Sequence, residues 1–129
     1  MKVQGIDHLQ LEVADLERSH QFYVQVPGME DYAIDESDRI FLRAGRDVLT
    51  LVRGPSERDA TSALQHTDRV HFGFLTESEQ QLREWRAHLQ QLRIPLVDEK
   101  RGDQGWSLYV RDPDGYLVEL FYIGRCTGT

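Results

Sequence analysis

Two histidines and a glutamate stand where a metal-binding set would be sought. His8 lies in Ile6-Asp7-His8-Leu9-Gln10-Leu11-Glu12-Val13, where Leu9, Leu11 and Val13 alternate with His8, Gln10 and Glu12. Alternation of this kind puts the imidazole on the polar row of a strand. His71 has the same placement in Val70-His71-Phe72-Gly73-Phe74, facing away from Val70, Phe72 and Phe74. Glu119 is the sole charge in Tyr116-Leu117-Val118-Glu119-Leu120-Phe121-Tyr122, a run rich in strand formers. An unpaired carboxylate there is costly or becomes protonated, so a positive partner is expected opposite it. Two imidazoles and one carboxylate on a rigid sheet suit Fe, Mn, Zn, Ni or Co. They leave coordination positions open for a substrate that binds through two oxygens. Either histidine alone reads as a polar residue on a solvated sheet face; their matched placement, together with Glu119, points to a metal.

The elements that must position these residues fall into two similar halves. In the first, strand 6–13 is followed by Asp15 as helix N-cap, a helix from Leu16 to Val26, and a stop at Pro27-Gly28. Strands are expected at Asp31 to Ile34, Arg39 to Arg43 and Asp47 to Arg53, with a hairpin turn at Ala44-Gly45-Arg46. In the second, strand 69–75 precedes Thr76-Glu77-Ser78-Glu79, which reads as a capping box. Leu82, Trp85, Leu89 and Leu92 then recur at helical spacing until Ile94-Pro95. Strands follow at Leu96 to Asp98, Trp106 to Val110 and Tyr116 to Ile123, the last two joined by the turn Asp112-Pro113-Asp114-Gly115. The acids of that turn are expected to be structural. Both halves read βαβββ, and aligning their last strands sets Thr50 at the position of Glu119. The division is module one 1–54, linker 55–68 and module two 69–129, within a single domain 1–129.

The chain has 129 residues, 15.0 kDa, 40% hydrophobic content, a net charge of -7 and a pI near 5.1. That is enough to bury one core. It argues against nucleic-acid or acidic-membrane partners, which need a basic patch. Cys126 is the single cysteine, so no internal disulfide can form, and a reducing, cytoplasmic setting is expected. Neither a secretion signal nor a membrane-spanning run is legible. His20, His66 and His88 lie in polar surroundings and read as surface residues.

The paired βαβββ halves, Gly5-Ile6-Asp7-His8-Leu9, Val70-His71-Phe72-Gly73-Phe74 and Asp112-Pro113-Asp114-Gly115-Tyr116-Leu117-Val118-Glu119-Leu120 together resemble the vicinal oxygen chelate superfamily. That superfamily includes glyoxalase I, fosfomycin-inactivating enzymes, extradiol dioxygenases, methylmalonyl-CoA epimerase and metal-free bleomycin-binding proteins. The resemblance implies an α+β fold in which two βαβββ modules form a curved, incompletely closed eight-stranded mixed sheet around a cavity, with helices on the outer face. It makes His8, Thr50, His71 and Glu119 the four ligand positions, of which His8, His71 and Glu119 hold strong ligands for one divalent metal. It also implies a homodimer with shared sites and a small-molecule substrate.

Comparison within the superfamily narrows the chemistry. Thr50 cannot act as a base at neutral pH, which demotes glyoxalase and epimerase activity. Gln10 stands where the fosfomycin thiol transferases carry threonine, and Lys100-Arg101-Gly102-Asp103-Gln104-Gly105 matches their cation loop poorly. Leu108-Tyr109-Val110-Arg111-Asp112-Pro113-Asp114-Gly115 followed by Glu119 matches the tail of the extradiol dioxygenase signature, without its leading histidine. Tyr109 corresponds to a substrate-contacting tyrosine and is the candidate catalytic residue, with Gln10 and Thr50 lining the substrate. Dioxygenase-type chemistry therefore stands slightly ahead of lyase or thiol-transferase chemistry. The rival from another class is a non-catalytic, bleomycin-type binding protein.

Overall fold

Strand alternation and turn chemistry build the first unit, Met1–Asp59, of the two into which the chain divides. The computed structural model describes residues 1–36, 38–54 and 70–126. The first unit contains β1 (His8–Val13), α1 (Leu16–Gln25), β2 (Glu30–Glu36), β3 (Arg39–Ala44) and β4 (Asp47–Arg53). Its sheet runs β1-β4-β3-β2, with β1 parallel to β4 and the remaining pairs antiparallel. Asp15 caps α1 by accepting from the Arg18 amide at 3.1 Å. Gly28, at φ 78°, turns the chain so that the Met29 amide reaches the Tyr23 carbonyl at 3.0 Å. Between β3 and β4, Ala44 pairs with Asp47, leaving a two-residue turn with Gly45 at φ 61°.

The register sorts this sheet into two faces. Leu9, Leu49 and Leu42 form one cross-strand row, and Leu11, Leu51 and Ile40 the next. Leu42, Leu49 and Leu51 are buried, and α1 packs on β3 and β4 with Leu16, Phe22 and Tyr23 in the core. The opposite face carries the rows His8-Val48-Arg43, Gln10-Thr50-Phe41 and Glu12-Val52-Arg39.

The second unit, Ala60–Thr129, contains β5 (His71–Leu75), α2 (Glu79–Gln91), β6 (Asp98–Gly102), β7 (Gly105–Arg111) and β8 (Leu117–Ile123). Its sheet, β5-β8-β7-β6, repeats the mixed order of the first. Trp106, Leu108, Val110, Val118 and Leu120 are buried with Leu82 and Leu89 of α2. The other face carries the row Gly73-Glu119-Tyr109-Asp98. Both units are thus βαβββ, and the described residues hold two open four-stranded mixed sheets with one helix each, the α+β class expected.

Three local expectations are corrected. The N-cap of α2 is Ser78, whose hydroxyl accepts from the Gln81 amide at 3.0 Å, while the Gln81 side chain accepts from the Glu77 amide at 2.7 Å. Thr76 is held in the sheet instead, its amide and hydroxyl both donating to the Phe121 carbonyl, at 2.8 and 3.0 Å. The helix stops at Gln91, before Ile94-Pro95. Arg93 takes φ 59°, and the Arg93 and Ile94 amides close back on the Gln90 and Leu89 carbonyls. The strand expected at Leu96 to Asp98 runs instead over Asp98–Gly102, because pairing with β7 fixes its register and its exposed side chains carry no alternation. The Asp112 turn is structural, as expected. Its buried carboxylate accepts from the Asp114 and Tyr116 amides, both at 2.9 Å, and Gly115 takes φ 95°. The linker 55–68 and His66 lie outside the described residues.

Candidate metal centre

In the second unit β5 and β8 run parallel with His71 paired to Leu117 and Gly73 to Glu119. His71 Nε2 comes 3.4 Å from Glu119 Oε1. The imidazole is the group that stands beside the carboxylate, where a positive partner was expected. The pair sits close because Gly73 has no side chain: a Cβ there would stand 2.9 Å from Glu119 Oε1 and 3.2 Å from Glu119 Cβ. Tyr109, paired with Glu119 across β7 and β8, sets its ring edge-on to His71 with centroids 5.6 Å apart. Burial, and then hydrogen bonding to Glu119, pushes the Tyr109 phenol above its ordinary value. It therefore stays protonated, and a hydrogen-bond donor, throughout the neutral range. Lys100 Nζ lies 5.4 Å from the centre of the Tyr109 ring.

These donors fit a divalent ion. Nitrogen and oxygen ligands at about 2.0–2.2 Å from one ion stand about 3.0–3.5 Å from each other. The observed separation of His71 Nε2 and Glu119 Oε1 falls in that range, and the space left by Gly73 keeps the carboxylate beside the imidazole.

The first unit presents the corresponding positions. His8 pairs with Val48 and Gln10 with Thr50, just as His71 pairs with Leu117 and Gly73 with Glu119. Thr50 is therefore the counterpart of Glu119, and Phe41, which pairs with Thr50, is the counterpart of Tyr109. Thr50 is buried and His8 exposed. His8 Nδ1 meets Asp7 Oδ2 at 3.0 Å. In the tautomer with the proton on Nδ1, Nε2 is free to accept, the arrangement a metal-bound histidine uses.

Among the sites expected, His71, Glu119 and Tyr109 come together in the second unit, and His8, Gln10 and Thr50 share one face of the first. Among the described residues, no group of three or more His, Cys, Asp or Glu side chains gathers to hold an ion. His20 is not a plain surface residue, since its Nε2 meets Asp31 Oδ1 at 2.6 Å and ties α1 to β2. His88 packs edge-on against Trp85 at 5.3 Å. Sequence reasoning missed Gly73 and Lys100. An isolated glycine inside a strand is a sign of close approach, and Gly73 carried that sign.

Residues 5–120 match the family model of the glyoxalase/bleomycin resistance protein/dioxygenase superfamily. The metallothiol transferase FosB of Lysinibacillus sphaericus is 32% identical over 122 residues, covering 93% of this chain and 83% of the relative. The crystal structure of a lactoylglutathione lyase from Agrobacterium tumefaciens has a TM-score of 0.76 at 26% identity, covering 95% of this chain and 96% of that one. The virulence protein STM3117 of Salmonella typhimurium is 26% identical over 125 residues, covering 93% of this chain and 85% of the relative. Its crystal structure has a TM-score of 0.70, covering 95% of this chain and 99% of that one.

Proposed function

The chain belongs to the glyoxalase/bleomycin resistance protein/dioxygenase superfamily, and from that premise we propose a divalent-metal-dependent enzyme acting on a small substrate with adjacent oxygens. The observation that carries this reading is the His71–Glu119 pair at 3.4 Å, set in the space left by Gly73. His8, which stands in the matching register, supplies the third ligand, with one unit of each subunit contributing to a site shared in a homodimer. The metal would supply Lewis acidity toward the substrate oxygens. Tyr109, kept protonated by burial and by Glu119, would turn its single O–H from Glu119 to a substrate oxygen once the carboxylate binds the metal. Gln10 and Thr50 orient the substrate through their amide and hydroxyl groups.

Similarity to a metallothiol transferase and a lactoylglutathione lyase supports polar chemistry. Thr50 lacks the carboxylate that would move a substrate proton, so thiol addition stands ahead of isomerisation. In that reaction a thiol sulfur bonds to a substrate carbon, a carbon–oxygen bond opens, and the released oxygen takes the thiol's proton. A dioxygenase is the second reading, favoured by the placement of Tyr109 beside His71 and Glu119.

Elemental analysis after purification without chelator, followed by metal titration, tests the core of the proposal. His8→Ala and His71→Ala each abolish tight uptake, and His20→Ala does not. Absence of any bindable divalent metal, or equal loss in all three variants, overturns it. Thiol-consumption assays with oxygen-bearing electrophiles, run beside oxygen-uptake assays with catechols on the iron-loaded protein, separate the two chemistries.

A further inference from the structure

The face of the first sheet that carries His8 also carries an arginine row that the metal reading does not use. Arg39, Phe41 and Arg43 alternate along β3 on this face, opposite Val52, Thr50 and Val48. With Arg46 of the adjoining turn and Tyr32 of β2, they line a cavity of about 470 Å³ that also includes His8, Gln10 and Thr50. That volume is in the range of small-molecule sites, roughly 300–1,000 Å³. Three guanidinium groups enter it in a chain whose net charge is -7. The one carboxylate in the lining, Asp7, is engaged by His8 at 3.0 Å. Glu12 lies on the same strand face outside the lining, its Oε2 also buried and making no hydrogen bond to Arg39 Nε.

The guanidinium environments point to a ligand and not to a solvated polar face. Arg39 Nε is shut off from solvent and has no hydrogen-bond partner among the described residues. A buried N–H of a cation without an acceptor is unfavourable, and an arriving oxyanion relieves it. Arg43 stacks over Tyr32 at 5.9 Å and meets Glu30 at a loose 3.7 Å, a separation that leaves its donors open to a closer acceptor. Phe41 and Tyr32 add apolar surface between and beside the charges.

We infer that this face is an oxyanion-binding site that takes the carboxylate or phosphoryl-type group of a small molecule. Guanidinium forks match the paired oxygens of such groups. His8 and Arg43 occupy one cross-strand row with Val48 between them, so their backbones lie about 10 Å apart at the usual strand spacing. A small substrate held near His8 would therefore reach the arginines with its far end. That last step rests on the proposed function; the oxyanion site itself does not.

The test is isothermal titration of the full chain, stripped of metal by chelator, with phenylphosphonate, benzoate and benzyl alcohol. At least one of the two oxyanions binds and benzyl alcohol does not, and comparison of the two arms tells phosphoryl from carboxylate. Binding weakens as potassium chloride is raised, a readout on the parent protein that needs no variant. Arg39→Gln and Arg43→Gln each weaken it about tenfold or more, while Arg125→Gln leaves it unchanged. Failure of both oxyanions, equal binding of benzyl alcohol, or full binding by both arginine variants overturns the inference. Because metal is absent throughout, failure here is distinct from failure of metal uptake in His71→Ala.

Discussion

Gly73 sets the geometry of the His71–Glu119 pair more than either partner does. Its missing side chain is what lets the Glu119 carboxylate lie beside His71, since an added Cβ would stand 2.9 Å from Oε1. The nearest group displaced by that Cβ is the end of a flexible side chain, while Glu119 Cβ at 3.2 Å and the Glu119 carbonyl at 3.4 Å must shift slightly. Gly73→Ala therefore folds at some cost in thermal midpoint, measured beside affinity. Divalent-metal affinity, read by competition with a chromophoric chelator, falls about tenfold or more, the scale typical when a ligand loses its support. Unchanged affinity would remove Glu119 from the centre. The candidate ligands His71 and Glu119 stood out in the sequence, because a lone charge in an apolar strand and a histidine in a polar row are chemical anomalies readable one segment at a time. The role of Gly73 was not, because it depends on which residue of β8 lies opposite. The arginines of β3 escaped for the same reason: Arg39 and Arg43 are ordinary in their own segment and gain meaning only from the register that sets them in rows with Thr50 and His8 as neighbours.

At the scale of elements, α2 ends in a way that stores a small strain. Arg93 adopts φ 59°, the left-handed conformation that closes the helix by returning the Arg93 and Ile94 amides to Gln90 and Leu89. A residue with a Cβ pays about 1 kcal/mol in that region, whereas glycine adopts it freely. Arg93→Gly therefore raises stability by about 1 kcal/mol, or roughly 4 °C in thermal midpoint. A fall in midpoint would show that the Arg93 side chain matters more than its backbone. Both helices and most strands of the described residues followed from periodicity and turn residues. Strand β6 did not, since Asp98-Glu99-Lys100-Arg101-Gly102 is wholly exposed and is a strand only because β7 pairs with it. The capping error at Thr76 has a similar origin. A threonine followed three residues later by glutamate has two possible uses, and here the hydrogen bonds to Phe121 hold it in the sheet.

Across the whole chain, the two units repeat one order of elements and one register. His8 and His71 open equivalent strands, and Thr50 and Glu119 close equivalent rows. A shared-site dimer built from such units makes a particular complementation test possible. When His8→Ala and His71→Ala proteins are unfolded, mixed and refolded together, each mixed dimer gains one intact site and one doubly altered site. Metal uptake, absent from either variant alone, returns in part. No recovery from the mixture would mean that His8 and His71 of the same subunit serve the same site. The repeat itself was legible in the sequence; whether two copies of the chain share a site would be a property of association that no single segment encodes.

The asymmetry between matching rows has a consequence for how such a protein can change. The second unit holds the carboxylate, the phenol and the space for them, while the first places a threonine, a phenylalanine and arginines at and around the same positions. Under the proposals made above, residues 39–46 would choose the molecule and residues 71–119 would transform it. Mutation in the first stretch could then retarget the protein to new compounds while its reactivity is inherited intact, and directed evolution for altered selectivity should begin there.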